Sequence, residues 1–493
     1  MFRLVPGARL RYHYGRPCMN ILLISTNRNV HPMPVMPIGV CAVAESCERN
    51  GHAVKLVDLM FDRDAAASIG AAITAHRPDV VGLSVRNIDN NDMRDPVFFL
   101  NDLAQLVNAV RKTTGAPVVL GGAALGVMPE AIMRHAGVSC AVVADGEYVF
   151  PLLVDRIAAG GPFDDIPGVA LLNQGVFSQT GAAPQGSLSG CIAPDYHRWV
   201  NVGAYRAHLA AAPLQTKLGC PFQCVYCTYR RIEGAGYRLC DPEAVAEAVT
   251  RLVVSGIRDI EFVDSVFNAP REHALAVCEA LARRDHRARL QSLELNPAFI
   301  DDELLTAMEQ AGFVGIGVTA ESASEPVLRG LRKGFTRLQL VQAAEVVRRH
   351  RIPCAWIFLM GGPGESQETV RETLDFAAAV LRPQDVAFFN VGIRMYPGTE
   401  LERIAREEGY FNLSPQDMLR PLFYVSPSLS AAWIMDEIKR SLAGNMSFLS
   451  SDSLNLSFLP SIHRIGYLFG LRPPLWKYTR RIRRTLRMFG MDV

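Results

Sequence analysis

Short apolar runs alternate with amphipathic stretches through the first third of the chain. The runs read as strands, and the stretches between them carry apolar positions at helical spacing, as in 38–50, where Gly51 ends the pattern. The predicted strands are 20–25, 54–59, 79–85, 117–122 and 140–145. Continuous apolar strands joined by helices are typical of a parallel sheet covered on both faces, so this region is predicted to be a doubly wound, Rossmann-like α/β domain.

The rhythm is lost between about 160 and 212, where Gly, Pro, Ser and Gln predict a connector with a small hairpin. A second α/β series then begins, with helical spacing in 242–255 and 337–350. Its predicted strands are 214–218, 259–263, 290–295, 315–320, 354–360 and 386–393. Six such units predict an open, partial (β/α)6 barrel that binds its ligands at the carboxyl ends of the strands.

These patterns predict an α/β protein and divide its chain into five segments. The segments are an N-terminal extension (1–18), the doubly wound domain (19–160), the connector (161–210), the barrel (211–410) and a small C-terminal region (411–493). The last of these is less regular than the others. Its tail, 471–493, interleaves basic residues with aromatic and aliphatic ones, which is compatible with contact with an anionic membrane surface. The alternative is a solvated basic face packed on the domain.

Composition narrows the choice of partners. Lys and Arg total 51 against 49 Asp and Glu, a net charge of +2, so the chain has no overall field for nucleic acid and none is predicted as a partner. No apolar stretch approaches the roughly 20 residues of a membrane-spanning helix, and no secretory signal is recognised. We therefore expect a cytoplasmic protein, with any membrane association peripheral, whose cysteines are thiols, metal ligands or buried apolar residues.

The chain holds 11 cysteines, an odd count that argues against a fully paired disulfide framework. Three of them share one short segment, Cys220-Pro-Phe-Gln-Cys224-Val-Tyr-Cys227, and the others are scattered. This spacing lets a single loop fold three thiolates around one metal centre. Zinc would need a fourth ligand, and no further cysteine pair follows at zinc-finger spacing. A [4Fe–4S] cluster held by three thiolates leaves one iron open, so the spacing favours a cluster.

This motif, directly after the first predicted barrel strand, resembles that of the radical S-adenosylmethionine (SAM) superfamily. The resemblance implies a [4Fe–4S] cluster on Cys220, Cys224 and Cys227, with SAM on its open iron. It also implies that one electron from an external reductant of the flavodoxin or ferredoxin type cleaves SAM to a 5′-deoxyadenosyl radical.

Four later segments resemble other motifs of the same superfamily, so that the likeness covers about 210–410. The segments are Ile260-Glu-Phe-Val-Asp264, Gly315-Ile-Gly-Val-Thr-Ala-Glu321-Ser322 followed by Lys333-Gly334, Phe358-Leu-Met-Gly361-Gly-Pro-Gly364-Glu365, and Met395-Tyr-Pro397-Gly398-Thr399-Glu400. The residues that the resemblance assigns to SAM are Tyr226, Asp264, Glu321 and Gly361. Each segment alone has a structural alternative, a plain turn at 361–364 or a satisfied polar residue at Glu321. A phosphate-binding P-loop is disfavoured because no Lys-Ser/Thr follows Gly364.

The first predicted domain resembles the cobalamin-binding domain fused to many radical SAM proteins. The segments that carry this likeness are Pro37-Ile-Gly39, Gly51-His52-Ala-Val-Lys-Leu-Val-Asp58, Val81-Gly-Leu-Ser84, Leu120-Gly121-Gly122 and Asp145-Gly-Glu147. The resemblance implies close approach of the corrinoid tail to Ser84, Gly121 and Gly122. The alternative is a doubly wound domain that binds nothing. The Asp-x-His-x-x-Gly motif for a lower axial histidine is absent, and His31 lacks its flanking residues, which leaves the lower ligand open.

The two resemblances together imply a cobalamin-dependent radical SAM enzyme. Its expected activity is methyl transfer to an unactivated carbon of a small molecule, either a lipid or a natural-product intermediate. Oxidative cyclisation or rearrangement is the alternative within the class. A non-catalytic corrinoid or iron–sulfur sensor is the alternative outside it, and the complete set of SAM motifs argues against a sensor.

Overall fold

The computed structural model describes residues 11–13, 16–181, 193–410, 414, 416–450 and 458–488. The strands are β1 (Arg11–His13), β2 (Arg16–Cys18), β3 (Asn20–Ser25), β4 (Ala53–Asp58), β5 (Val80–Ser84), β6 (Val118–Gly121), β7 (Cys140–Val142), β8 (Val169–Asn173), β9 (Val176–Gln179), β10 (Ala212–Leu214), β11 (Lys217–Leu218), β12 (Arg238–Leu239), β13 (Asp259–Phe262), β14 (Arg289–Leu295), β15 (Phe313–Glu321), β16 (Cys354–Met360), β17 (Val386–Val391), β18 (Ile393–Arg394), β19 (Phe423–Tyr424) and β20 (Phe448–Ser450). The predicted extension contributes the antiparallel pair β1–β2.

Helices connect most of the strands. They are α1 (Ile38–Arg49), α2 (Ala65–His76), α3 (Asn101–Thr113), α4 (Ala123–Val127), α5 (Pro129–Ala136), α6 (Gly146–Ala158), α7 (Tyr196–Trp199), α8 (Val202–Ala207), α9 (Tyr229–Ile232), α10 (Pro242–Val254), α11 (Arg271–Ala282), α12 (Asp302–Gln310), α13 (Glu325–Leu331), α14 (Arg337–Arg349), α15 (Gln367–Val380), α16 (Glu400–Glu407), α17 (Ala431–Gly444), α18 (Leu459–Leu468) and α19 (Thr479–Met488).

The first sheet is doubly wound, with strand order β4-β3-β5-β6-β7-β8-β9. Strands β3 to β7 pair in parallel, and consecutive residues of β3 enter cores on opposite faces: Ile21 and Leu23 on one, Leu22 and Ile24 on the other. This alternation confirms a sheet covered on both sides. The small hairpin predicted in the connector is β8–β9, and it extends the same sheet by pairing antiparallel with β7.

The second sheet is the partial barrel, with strand order β10-β13-β14-β15-β16-β17-β20, all in parallel. The predicted strand 214–218 is in fact two short strands. Only β10 joins the barrel, because the chain turns away after Leu214 and β11 pairs antiparallel with β12. A seventh strand, β20, was not predicted: three residues of a mixed sequence give no periodic signal. The α/β fold class is confirmed in both sheets.

Buried polar contacts fasten the first domain to the barrel. Arg394 on β18 forms an ion pair of 2.8 Å with Asp89, which follows β5, and both side chains are almost fully buried. Near the other end, the Tyr205 hydroxyl donates to Asp58 at the end of β4, over 2.7 Å. The first contact links the first domain to the barrel, and the second links it to α8 of the connector. Removal of one partner of the buried ion pair would be costly, because the other charge would remain uncompensated.

Within the described residues, we find no helix that combines the length and the apolar character needed to cross a membrane.

Candidate functional site

The three clustered cysteines lie on one loop between β11 and α9 at the rim of the barrel. The loop begins at Gly219, where φ is +88° and a Cβ atom would lie 2.0 Å from the carbonyl oxygen of Gly236, so only glycine can occupy it. The Cys220 amide donates to Gly234 over 3.1 Å, and the Cys227 amide donates to the Cys224 carbonyl over 3.1 Å. The loop is therefore shaped by its backbone, with its thiols left to bind something else.

The thiols lie in a setting that suits a bound cation. Burial raises the pKa of Cys220 and raises that of Cys227 to about 12, and the charges of neighbouring cysteines add to both rises. Burial also raises the pKa of Cys224, where the charge of Lys333 opposes the rise and that of Glu321 adds to it. A cationic centre would reverse this balance, since thiols bind metals as thiolates. In the described part of the chain, no three or more His, Cys, Asp or Glu side chains converge closely enough for a single metal ion.

A fully buried network supports the loop from below. Asp264, which follows β13, accepts from the Thr216 amide (2.7 Å), the Thr216 hydroxyl (2.6 Å) and the Lys217 ammonium (3.3 Å). Lys217 also donates to the Phe267 carbonyl over 2.7 Å. Both side chains of this ion pair have no exposed surface. The Asp264 carboxylate is therefore occupied by the segment that leads into the cysteines.

Tyr226, Glu321 and Lys333 form a compact triad beside the cysteines. The Tyr226 hydroxyl donates to Glu321 over 2.7 Å, and the Lys333 ammonium lies 3.1 Å from both the carboxylate and the hydroxyl. Burial opposes the charge on Lys333, but Glu321, Tyr226 and the neighbouring Cys224 raise its pKa well above the ordinary value. Glu321 ends β15 with φ of +60°, a strained conformation that turns its carboxylate toward the triad.

Further acidic side chains face the same interior. Burial raises the pKa of Glu294 on β14 to about 8, and the charge of Glu321 adds to the rise. Burial also raises the pKa of Glu261 on β13, which accepts from Gln291 over 2.9 Å. Arg86, from the first domain, is close enough for its charge to oppose this rise. The inner rim of the barrel is thus rich in carboxylates.

The turn after β16 is satisfied by its own glutamate. The amides of Gly361 and Gly362 both donate to the buried Glu365, and the Gly361 carbonyl accepts from the Ser426 amide over 2.9 Å. Gly361 has φ of +96°, a conformation that favours glycine. Burial raises the pKa of Glu365 to about 7. The backbone polar groups of Gly361 are therefore already used within the fold.

A cavity of about 1430 Å³, counting its mouth, opens at the carboxyl edge of the first sheet. Its floor is the point where the chain switches sides, between β3 and β5, which is where open α/β sheets bind ligands. Four barrel residues complete its wall: Gln215, Leu218, Ile232 and Glu233. We call this cavity the interdomain cleft.

Ser84, Gly121 and Gly122 all line the interdomain cleft. The Ser84 hydroxyl makes no hydrogen bond with any described residue, and no atom lies within 4 Å of the place where a Cβ on Gly121 would project. Gly122 differs: its φ is +99°, and a Cβ would lie 2.5 Å from the Val85 carbonyl oxygen. Gly121 thus leaves open space, Gly122 allows close backbone packing, and the cleft suits a bulky ligand that approaches the main chain.

His31 lies outside the residues that line the cleft. Its Nδ1 is buried without a hydrogen-bond partner, and its charge acts on His463, which lines a different cavity inside the barrel. The position of His31 therefore gives no support for its being the lower cobalt ligand, which the sequence left open.

The predicted site residues fall into three places. The cysteines, Tyr226 and Glu321 come together at the barrel rim, whereas Ser84, Gly121 and Gly122 meet in the cleft. Asp264 and Gly361 are held within the fold beside them. Sequence reasoning included Lys333 in a motif, as part of its Lys-Gly pair, but did not assign it to the site. It also missed Glu233, whose pKa burial raises to about 7, because no motif marks that position.

Comparison with known proteins matches both α/β domains to families. The model of the radical SAM superfamily matches residues 215–377, and that of the B12 binding domain matches residues 25–154. The first range contains the cysteine loop and the triad, and the second contains the predicted cleft glycines.

Several curated proteins are similar over most of their length. The tryptophan 2-C-methyltransferase of Streptomyces laurentii is 25% identical over 453 residues, covering 79% of this chain and 74% of the relative. An uncharacterised methyltransferase of Pyrococcus horikoshii is 26% identical, with 74% and 77% covered. The hopanoid C-3 methylase of Methylococcus capsulatus is 25% identical, with 75% and 70% covered.

Solved structures share the architecture. The radical SAM methyltransferase TsrM from Kitasatospora setae superimposes with a TM-score of 0.84 at 23% identity, covering 96% of this chain and 99% of that one. The cobalamin-dependent radical SAM enzyme OxsB gives 0.68 at 14% identity, with 96% and 76% covered. A B12-binding domain followed by a radical SAM barrel defines an enzyme class. The chain belongs to the cobalamin-dependent radical SAM family.

Proposed function

We propose that the protein is a methyltransferase that acts on an unactivated carbon of a lipid or natural-product intermediate, using a [4Fe–4S] cluster, SAM and cobalamin. One observation carries this proposal: a single short helix links the cysteine loop to the interdomain cleft. Helix α9 begins at Tyr229, two residues after Cys227, and its last residue, Ile232, lines the cleft. At about 1.5 Å of rise per residue, α9 separates the two sites by less than about 10 Å.

When bound, the cluster with SAM supplies the carbon-centred radical and cobalamin supplies the methyl group. Cys220, Cys224 and Cys227 hold the cluster as thiolates. Glu321 and Lys333 present one negative and one positive charge to the amino and carboxylate groups of SAM, and Tyr226 fixes the orientation of both. Each of these residues keeps its partner within the triad, so the site is arranged before SAM arrives.

Ser84, Gly121 and Gly122 are proposed to receive the cobalamin tail. The open space at Gly121 and the unpartnered Ser84 hydroxyl support this assignment. Asp264 and Gly361 are proposed as positioning residues. Asp264 acts through Thr216 and Lys217 on the cysteine loop, and Gly361 acts through the turn that Glu365 closes.

The relatives support methyl transfer, since three of the matched proteins are named as methyltransferases or methylases, and two of these names state different substrates, tryptophan and a hopanoid. Anaerobic magnesium-protoporphyrin IX monomethyl ester cyclases also match. That of Cereibacter sphaeroides is 23% identical over 65% of this chain. Oxidative cyclisation is therefore the second candidate.

The test uses the anaerobically reconstituted protein, reduced with dithionite in the presence of SAM. We expect both 5′-deoxyadenosine and S-adenosylhomocysteine. Loss of 5′-deoxyadenosine with full iron loading would overturn the radical assignment. The absence of S-adenosylhomocysteine would favour cyclisation.

Cys224→Ala should abolish both products, because two thiolates cannot hold the cluster in its reactive form. Cys18→Ala is the matched control, since Cys18 lies on β2, outside the cysteine loop, and should leave both products unchanged. Turnover by Cys224→Ala at the wild-type rate would show that the cluster is bound elsewhere.

Two partners complete the proposal. A flavodoxin- or ferredoxin-type protein supplies the electron, and 471–493 makes peripheral contact with an anionic membrane from a cytoplasmic location. Arg480, Arg481 and Arg484 are exposed on α19, and Leu468 and Phe469 are exposed at the end of α18, which supports such contact. Replacing the three arginines with glutamine should abolish salt-sensitive binding to phosphatidylserine vesicles; unchanged binding would refute the contact.

The domain limits at 160, 210 and 410 also remain predictions.

A further inference from the structure

The barrel encloses a second cavity of about 1280 Å³, counting its opening, that the radical site does not use. Its wall is the inner surface of the sheet, formed by Leu293 on β14, Ala355 and Ile357 on β16, Phe388 on β17 and Leu449 on β20. All five side chains are aliphatic or aromatic. We call this cavity the lumen.

The C-terminal helices close the lumen. Leu459 and Ile462 of α18 and Ile482 of α19 line it, and the ring of Trp476 enters its lower end. A Cβ on Gly315 would lie 3.0 Å from that ring, so a glycine at the start of β15 makes room for the tryptophan. The apolar side of this basic segment is therefore used inside the barrel, while its exposed arginines face outward.

The lumen lies directly beneath the proposed SAM site. In the sheet, Ile357 pairs with Thr319 and Phe358 pairs with Glu321, so the lumen wall at Ile357 lies one residue before the level of the triad. Asn390, which pairs with Leu359, lies one residue beyond that level. On β14, the register shifts between Ser292 and Leu295, and the two residues between them lie in different surroundings, the lumen and the triad. Leu293 lines the lumen, whereas the next residue, Glu294, interacts with Glu321 and Lys333.

One loop also joins the lumen to the interdomain cleft. After β3, Pro32 and Met33 line the lumen, and Met36 and Pro37 line the cleft. A molecule in the lumen would therefore extend toward both the radical and the methyl donor.

Few polar groups face the lumen. Asn390 on β17 is partly exposed to it, and its amide makes no hydrogen bond with any described residue. His463 is neutral at physiological pH, since burial lowers its pKa to about 4. Of the described lining residues only Arg483 is charged, and its guanidinium donates to the carbonyls of Met446 and Phe448. The indole Nε1 of Trp476 and the Nδ1 of His463, which also line the lumen, are buried without a hydrogen-bond partner among the described residues. Three unpaired polar side chains in an otherwise apolar wall suit a largely apolar ligand that carries few polar atoms.

We propose that the lumen binds the body of the substrate, which is a neutral, largely hydrocarbon molecule with a hydroxyl or carbonyl that hydrogen-bonds to Asn390. This inference rests on the proposed function, and it names the substrate class. The apolar body lies in the lumen, and the carbon to be modified lies at the upper end, next to the triad.

The test measures equilibrium dialysis of tritiated retinol, a neutral hydrocarbon alcohol, against the reconstituted holoprotein. We expect saturable binding by the wild type and at least tenfold weaker binding by Ile357→Trp, whose indole would project into the lumen and occupy part of it. Leu338→Trp adds the same ring to the exposed side of α14, where 66% of the side chain is accessible, and should bind retinol like the wild type. Iron content and thermal melting check that each variant is folded.

Asn390→Leu provides a second variant that conserves volume and should weaken retinol binding about fivefold by removing one hydrogen bond. Retinoic acid should bind more weakly than retinol. No wild-type binding, equal binding by Ile357→Trp, or tighter binding of the acid would each overturn the inference. Retinol binding with no SAM cleavage would instead refute the proposed function alone, and SAM cleavage with no retinol binding would refute the lumen alone.

Discussion

The interdomain cleft and the barrel rim are built in opposite ways. The cleft relies on side chains that are absent: Gly121 leaves space and Gly122 lets two backbones touch. The rim relies on buried charge, with Glu321, Lys333 and Glu294 held around one interior. A large cofactor is accommodated by shape, whereas a small zwitterion is oriented by charges in a low-dielectric setting. Adding atoms should therefore damage the cleft, and removing charges should damage the rim.

The largest effect is expected from Gly121→Leu. Its side chain would project into the cleft, and overpacking typically costs about 1–3 kcal/mol, which corresponds to a loss of up to about a hundredfold in cobalamin affinity. The ratio of corrinoid to protein after reconstitution measures it. Gly70→Leu, on α2 and also without atoms within 4 Å, is the control and should load normally. Normal loading of Gly121→Leu would mean that the cleft does not hold the corrinoid.

A smaller effect is expected from Lys333→Met, which leaves Glu321 without its counter-charge. We expect SAM to bind about tenfold more weakly, because removing one partner of a buried ion pair leaves the other uncompensated. Anaerobic calorimetry with SAM measures the affinity at equal iron content. Lys439→Met, at an exposed position of α17, should have no effect. An unchanged affinity in Lys333→Met would separate the triad from SAM binding.

The smallest effect is expected from Glu365→Gln, and it depends on pH. Burial raises the pKa of Glu365 from 4.5 to about 7 in the folded chain. The protonated form thus stabilises the fold at acidic pH, and this contribution is lost as the pH rises from about 4.5 to about 7.

Glutamine keeps an oxygen for the amides of Gly361 and Gly362 and cannot ionise. The melting temperature of the wild type should therefore fall, relative to that of Glu365→Gln, between pH 5 and pH 8. Glu345→Gln, at an exposed position of α14, should follow the wild type. Parallel curves for wild type and Glu365→Gln would contradict the raised pKa.

Most of the fold could be predicted because buried parallel strands leave continuous apolar runs in the sequence. The runs at 20–25 and 354–360 match β3 and β16 in full. What could not be predicted came from short or mixed segments. Strand β20 has only three residues, and the split between β10 and β11 follows from the pairing of Leu218 with Arg238, which no local pattern reveals.

The candidate site was predictable where chemistry fixes spacing within one segment, as in the cysteine loop. It was less predictable where distant residues meet. Lys333 reaches Tyr226 from 107 positions away, and Glu233 enters the cleft wall without a motif. Asp264 shows the opposite limit, since its type and position suggest a ligand contact while its hydrogen bonds go to Thr216 and Lys217 within the fold.

Helix α9 has a thermodynamic consequence. One turn of helix carries the end of the cysteine loop on one side and the wall of the cleft on the other, and α4 packs against it closely enough that a Cβ on Gly126 would lie 3.3 Å from Ile232. If a bound corrinoid increases the affinity for the cluster by some factor, thermodynamic linkage requires that the bound cluster increases the affinity for the corrinoid by the same factor. The order in which the two cofactors are loaded can then change the rates of assembly but not the final occupancy.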